Sequence, residues 1–157
     1  MNLEQHKSNL KSIQSCPYCN GNITLVSSKF IYRYDMGMIY LCENYPLCNS
    51  YVGVHKGTIY PLGRLANHEL RTLKTKVHKL FDPLWNYLLD NKKINKLTNK
   101  VYTKYEARNS VYNWLATELN IPVGECHVGF FDCDMCNKSI IIIENLYKEK
   151  SKLKNIF

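Results

Sequence analysis

The sequence has no apolar run of the roughly 20 residues that a membrane-spanning helix needs. Its longest apolar stretch, SIIIIENL at 139–146, meets Glu144 after four isoleucines. The N-terminal MNLEQHKSNLKS carries no apolar h-region, which predicts a cytoplasmic rather than an exported chain. A reducing compartment and an odd count of 7 cysteines both argue against a disulfide framework. Phosphate-cradling loops are missing too, with neither a Walker-type motif nor a G-x-G-x-x-G. HELR at 68–71 opens like a zinc-protease motif, but Thr72 stands where H-E-x-x-H needs its second histidine. His68 and His78 lie nearly three helical turns apart, too far to share an ion on one straight helix. His127, Asp132 and Asp134 alone do not make a nuclease centre. These absences predict a non-enzyme with no catalytic residue and no small-molecule substrate. No internal repeat is visible.

The 157 residues suffice for one domain, or for a small module with a modest second one. The composition, 45% hydrophobic and 22% charged, is that of a globular protein. The net charge of +8 is uneven: residues 1–63 carry +2, residues 64–104 carry +7 and residues 105–157 carry −1. Clustering of this kind points to a polyanionic partner. A general abundance of Lys and Asn, as in chains of AT-rich coding, is the competing explanation.

Four cysteines stand in two pairs, Cys16 and Cys19 in CPYC, Cys42 and Cys48 in CENYPLC. Two intervening residues let one tight turn aim both sulfurs at a single ion, and a hairpin between the pairs would bring the second beside the first. Four thiolates make a closed tetrahedral site suited to one structural Zn²⁺. A redox pair is the alternative, but the βαβ context of thioredoxin-like proteins is absent. A second candidate metal cluster is Cys126, His127, Cys133 and Cys136. Against it, adjacent Cys126 and His127 cannot easily aim at one ion, so small apolar thiols packed under a helix compete with a second zinc.

The pattern from Cys16 to about Tyr60 is strand-like. NITLVSSKFIYRYD at 22–35 reads as a strand, Gly37 as a turn, MIYLC as the returning strand, and SYVGVHKGTIY as a third with a turn at Gly57. Beyond Pro61, Leu70, Leu73, Val77, Leu80 and Phe81 recur at helical spacing, with Arg71, Lys74, Thr75 and His78 opposite. Asp82-Pro83 predicts a break and a restart, with Asp82 as the new N-cap. NKKINKLTNKVY at 91–102 reads as an exposed connection. Thr103 and Glu106 form a capping box ahead of a third helical stretch that Asn120 and Pro122 end. GECHVGFFD is a loop or short turn, and Asp132 can cap a last helix. Its isoleucines at 140–143 also fit a strand, but the helix-forming tail at 144–154 favours helix. The expected fold is therefore α+β: a zinc ribbon with a short N-terminal extension at 1–62, then a basic bundle of three or four helices at 63–157.

The fragments CPYCNG, YLCENYPLCNSYVGVHKG, PLGRLANHELR, VHKLFDPLW, VYNWLATELNI and CHVGFFD resemble a zinc-finger-containing family of small phage and bacterial proteins. The likeness runs over residues 16–143, while the Lys/Asn-rich stretch before Thr103 departs from the family pattern. It implies that Cys16, Cys19, Cys42 and Cys48 are the ligands, and it places the chain in a phage or mobile element acting inside a bacterial host. LCENYPLC also looks like the C-terminal zinc ribbons of bacterial type IA topoisomerases. Those ribbons carry aromatic-lined surfaces for single-stranded DNA, so this likeness implies the same ligand here.

Aromatic and basic residues alternate in the ribbon: Tyr18, Phe30, Tyr32, Tyr40, Tyr45 and Tyr51 stand among Lys29, Arg33 and Lys56. Stacked bases with neutralised phosphates are how single strands are held without sequence readout. Read as a strand, KFIYRY puts Phe30 and Tyr32 on one face and Ile31 and Arg33 on the other. The predicted phosphate contacts are Arg64, Arg71, Lys74, Lys76 and Lys79, with Lys92, Lys93, Lys96 and Lys100 as loop additions. The expectation is nucleic-acid binding with single-stranded DNA favoured. The alternative is a module that docks on a host nucleic-acid-processing or defence complex.

Overall fold

A computed structural model describes residues 13–149; the expectations for the first dozen residues and for the end of the tail lie outside them. The contacts divide the chain into two compact units, which meet in sequence between Thr72 and Leu73.

The first unit is built on an antiparallel sheet of three strands, β1 (Ile23–Ser27), β2 (Met38–Cys42) and β3 (Tyr51–Gly53), in the order β1-β2-β3. The register pairs Ile23 with Cys42 and Leu41 with Tyr51, so the sheet fixes where the second cysteine pair begins. Single bridges from Tyr51 to Ala66 and from Val54 to Pro61 extend it with the segment that follows. Gly37 and Gly57 turn the chain at φ +102 and +74, the left-handed region that glycine enters without strain.

The first strand is shorter than its composition predicts, because two serines end it. Ser27 accepts a hydrogen bond from the Lys29 amide, and a 3-10 turn follows at Ser28–Phe30. Ser28 is buried: its hydroxyl accepts from the Met36 amide at 2.7 Å, while its own amide donates to the Gly37 carbonyl at 2.8 Å. Local side-chain acceptors thus replace the ladder partners that a longer strand would need. The strand alternation expected for KFIYRY does not exist. Phe30, Arg33 and Tyr34 are all exposed, while Tyr32 is half-buried and meets Tyr51, hydroxyl to hydroxyl, at 2.8 Å.

Three helices follow: α1 (His68–Asp90), α2 (Lys104–Leu119) and α3 (Cys133–Lys148). Asn67 accepts from the Leu70 amide at the start of α1. The predicted break at Asp82-Pro83 is absent, and α1 runs through Pro83. Val77, Phe81, Leu84 and Leu88 are fully buried at spacings of four, three and four, a single helical register that any restart would scramble. Pro83 lies on the exposed side, where water can serve the carbonyl its ring leaves unbonded. Asp82 caps no new helix; its carboxylate accepts from the Trp85 indole N–H at 2.9 Å.

The stretch expected to be an irregular connection holds a short hairpin, β4 (Ile94–Asn95) with β5 (Lys100–Val101). Its composition hides this, but Asn supplies the left-handed conformation of Asn99, at φ 53, without a glycine. The capping box forms as expected: Glu106 N–H donates to Thr103 Oγ1, and Glu106 Oε2 accepts from the Thr103 amide at 2.8 Å. Asn120, at φ 53, closes α2 in the left-handed conformation. Residues 123–125 and 128–130 form 3-10 turns in the predicted loop. Asp132 caps α3 by accepting from the Met135 amide, and the isoleucines are helical, Ile140 and Ile143 facing the core while Ile141 faces solvent. The architecture is α+β, a small sheet followed by three helices. Among the described residues, no helix is long and apolar enough to cross a membrane.

Candidate metal centre

Each cysteine pair is presented by its own turn. In the first, the Cys16 amide donates to the Gly21 carbonyl at 2.9 Å and the Asn20 amide to the Cys16 carbonyl at 2.8 Å, with Asn20 left-handed at φ 57. In the second, the Tyr45 amide donates to the Cys42 carbonyl and the Cys48 amide to the Asn44 carbonyl. The β1–β2 pairing brings the two turns together. The four sulfurs all lie within 4.8 Å of one another, with Cys16–Cys48 at 3.5 Å and Cys19–Cys42 at 3.4 Å.

These separations decide the chemistry. A disulfide needs about 2.05 Å between sulfurs, so the cysteines are not paired as bridges. Four sulfurs about 2.3 Å from one Zn²⁺ stand about 3.8 Å apart in a tetrahedron, which is the spacing class found here. The donor set fits one structural zinc and leaves no fifth position for water. Cys16 and Cys42 are fully buried and pack with Leu65, so the ligands are themselves the centre of the ribbon's core.

The surroundings treat the sulfurs unequally. Cys19 is exposed; the Gly21 backbone N–H first, then the Asn44 amide, pull its thiol down to about 6. Burial pushes Cys42 up to about 12 and Cys48 also upward. Two positive charges at the centre offset that burial and let the inner thiols ionise. Two supporting residues escaped the sequence reading. Asn44 Nδ2 donates to Cys19 Sγ at 3.3 Å, and buried Ser50 places its hydroxyl 3.3 Å from Cys48 Sγ. Nothing in the sequence distinguishes them, since each is defined only by the fold around the metal.

The second predicted cluster does not assemble. Among the described residues, Cys16, Cys19, Cys42 and Cys48 are the group in which three or more such ligands converge. Cys126 is buried, and burial alone pushes its thiol up to about 12. Cys136 is fully buried in α3 and Cys133 is half-buried at its first turn. His127 lies parallel to the Tyr112 ring at 5.7 Å, and its Nδ1 accepts from the Gly129 amide. The small thiols act as core residues and the imidazole as a turn acceptor.

The predicted phosphate contacts divide sharply. Arg71 donates to the Asn49 carbonyl and side chain and to the Ala66 carbonyl, and its guanidinium lies 3.8 Å from the Tyr51 ring centroid. Lys74 donates to the Gly129 carbonyl at 2.6 Å, and Lys76 pairs with Glu144 at 3.1 Å. These three are engaged by groups of the fold itself. Arg64 is half-buried, and Lys79 is exposed. In the ribbon, Lys29 pairs loosely with Asp35 at 3.7 Å, Arg33 is exposed, and Tyr45 meets Phe30 edge-on at 6.3 Å. Lys92, Lys96 and Lys100 are exposed around the hairpin, while Lys93 lies 5.4 Å from the Tyr87 ring centroid.

No curated protein and no solved structure matches the chain, so the likeness of residues 41–48 to topoisomerase ribbons rests on that motif alone. A zinc-finger-containing domain family matches residues 12–146, most of the 157. With that span matched and four thiols converging on one ion site, the chain belongs to the zinc-finger-containing domain family.

Proposed function

We propose that the protein binds nucleic acid, with zinc as a structural ion and no catalytic role. The observation that carries this reading is the segment 91–105, which holds five lysines and no acidic residue and folds into a hairpin. Lysines concentrated on a short hairpin, with Glu106 the nearby acidic group at its base, are suited to phosphates, whose counterions they release. The exposed Phe30 beside Tyr45, flanked by Lys29 and Arg33, adds a base-stacking surface suited to a single strand.

The test is a salt titration of binding to single-stranded DNA, duplex DNA and RNA. Each phosphate contact adds a slope of about 0.7–0.9 in log affinity against log salt. Reversing Lys92, Lys93, Lys96 and Lys100 to glutamate is expected to flatten that slope and weaken binding at least tenfold. Salt-independent binding, or none, overturns the reading. Met36, Met38 and Ile59, exposed around one open groove of the ribbon, favour a second reading as a module that docks on a host nucleic-acid-processing or defence complex. That reading requires an interaction insensitive to the lysine reversals and lost on replacing Met38 and Ile59 with serine.

A further inference from the structure

Leu97 sits in the turn of the β4–β5 hairpin at 96% exposure, so folding makes almost no use of it. Its backbone is nevertheless fixed. The Leu97 amide donates to Asn95 Oδ1 at 3.0 Å, and the Asn99 amide donates to the Asn95 carbonyl at 2.8 Å. Asn95 is itself buried, and its amide reaches Glu106 Oε1 at 3.4 Å, tying the turn to the capping box of α2. At the base of the hairpin, the Lys93 amide donates to the Leu88 carbonyl and the Tyr102 amide to the Lys93 carbonyl. Behind the tip, the cross-strand partners Ile94 and Val101 are about half exposed, and Tyr105 is more exposed still. Lys92, Lys96 and Lys100 are exposed in the same hairpin segment, and Lys104 follows it, 5.2 Å from the Trp85 ring centroid.

We infer that this hairpin is a wedge that enters duplex DNA and inserts Leu97 between two base pairs from the minor groove, with the flanking lysines on the phosphates of both strands. The inference rests on the nucleic-acid reading above and names the form of ligand the hairpin takes. Proteins that kink DNA in this way present an aliphatic side chain beside cations on a rigid element. Leu97 stands among lysines, on a turn whose amides are already bonded to Asn95. A single-strand platform would instead need an aromatic at the tip. A lipid surface would need a much larger apolar face than one turn offers. Because the inserted side chain must separate two stacked pairs, easily unstacked TA and CA/TG steps are the preferred sites.

The experiment uses the full zinc-loaded chain and a duplex carrying 2-aminopurine at a central TA step, with a donor–acceptor dye pair at its ends. Wild-type protein is expected to raise the 2-aminopurine fluorescence severalfold and to shorten the end-to-end distance. Leu97→Ala is expected to lose both signals while keeping the salt slope, and Leu97→Met to restore them. Reversal of Lys92, Lys96 and Lys100 to glutamate is expected to lower the slope by roughly 3. Unchanged unstacking by Leu97→Ala overturns the wedge and leaves nucleic-acid binding intact. Leu97-dependent binding to vesicles of anionic phospholipid, or to single strands with no duplex signal, also overturns it. If the wild type binds no nucleic acid at all, the wedge and the proposed function fall together. Leu97 is almost fully exposed, so its variants keep the fold, which zinc content and circular dichroism verify.

Discussion

Replacing Cys42 with alanine is expected to cost the protein both its zinc and the folded ribbon, whereas Cys136→Ala is expected to cost neither. Both side chains are fully buried cysteines, so the pair isolates what ligation adds to burial. Cys42 is one of four converging sulfurs, and with Cys16 and Leu65 it forms the centre of the ribbon's small core, with Ile23, Tyr40, Cys48 and Val52 around it. Two of the three buried members of that cluster are therefore ligands, so losing the metal removes the centre around which the ribbon packs. Structural zinc in small modules contributes about 10–16 kcal/mol of apparent free energy at neutral pH, far more than a few aliphatic side chains at about 1.5–3 kcal/mol each. Removing one of four thiolates forfeits a large part of it. Cys136, buried on α3, lies outside the group of converging sulfurs, so its loss is expected to cost about 1 kcal/mol, as for an ordinary buried substitution.

The assays are zinc stoichiometry by elemental analysis after dialysis against a competing chelator, and amide exchange in β1–β3. Wild type and Cys136→Ala should each hold one zinc per chain and protect the amides of residues 39–42. Cys42→Ala should fall well below one and lose that protection, while the amides of α2 and α3 stay protected. Two zincs in the wild type, loss of zinc from Cys136→Ala, or a fully loaded and protected Cys42→Ala would each refute the reasoning.

Asn44→Ala removes the hydrogen bond to the Cys19 sulfur and should weaken zinc retention by about 10–100-fold in chelator competition, the usual effect of a lost outer partner. Pro83→Ala restores an N–H inside α1 and should stabilise the chain; about 3 kcal/mol of helix penalty, less up to about 1 kcal/mol for the freer unfolded chain, leaves about 2 kcal/mol, read by urea unfolding. Thr103→Ala breaks the capping box of α2 and should cost about 1 kcal/mol in the same assay. The Thr103 amide, then its hydroxyl, hold the Glu106 carboxyl below its ordinary 4.5, so this stabilisation is complete above about that pH and is lost as pH falls through the lower folded value. A stability profile in which Glu106→Gln flattens the acid limb checks the sign.

What was legible in the sequence follows from the range of the forces involved. The cysteine pairs, the Thr103–Glu106 box, Asn120 and the Asp132 cap act within a few residues, so spacing alone exposes them. The strand that stops at Ser27 and the helix that ignores Pro83 are decided otherwise. Ser28 is bonded to Met36 and Gly37, and α1 continues through Pro83 with Phe81 and Leu84 buried on either side of it, contacts that a local window does not contain. The same limit explains the second cysteine cluster. Cys126, His127, Cys133 and Cys136 have tolerable spacing, but Tyr112 and the Gly129 amide claim the imidazole, and burial claims the thiols.

Charge shows the limit most clearly, because a count of lysines and arginines does not say which of them are already answered. The excess in residues 64–104 looks uniform along the sequence, yet the side chains within it have different fates. On α1, Arg71 is clamped between Asn49, Ala66 and Tyr51, Lys74 caps the Gly129 carbonyl, and Lys76 faces Glu144. A polyanion approaching these groups would have to displace bonds the fold already uses. In the hairpin, Lys92, Lys96 and Lys100 stand exposed with no acidic residue from 91 to 105. Folding engages Arg71, Lys74 and Lys76 and leaves Lys92, Lys96 and Lys100 exposed, so reversing Lys74 and Lys76 should act on stability while reversing Lys96 and Lys100 should act on binding.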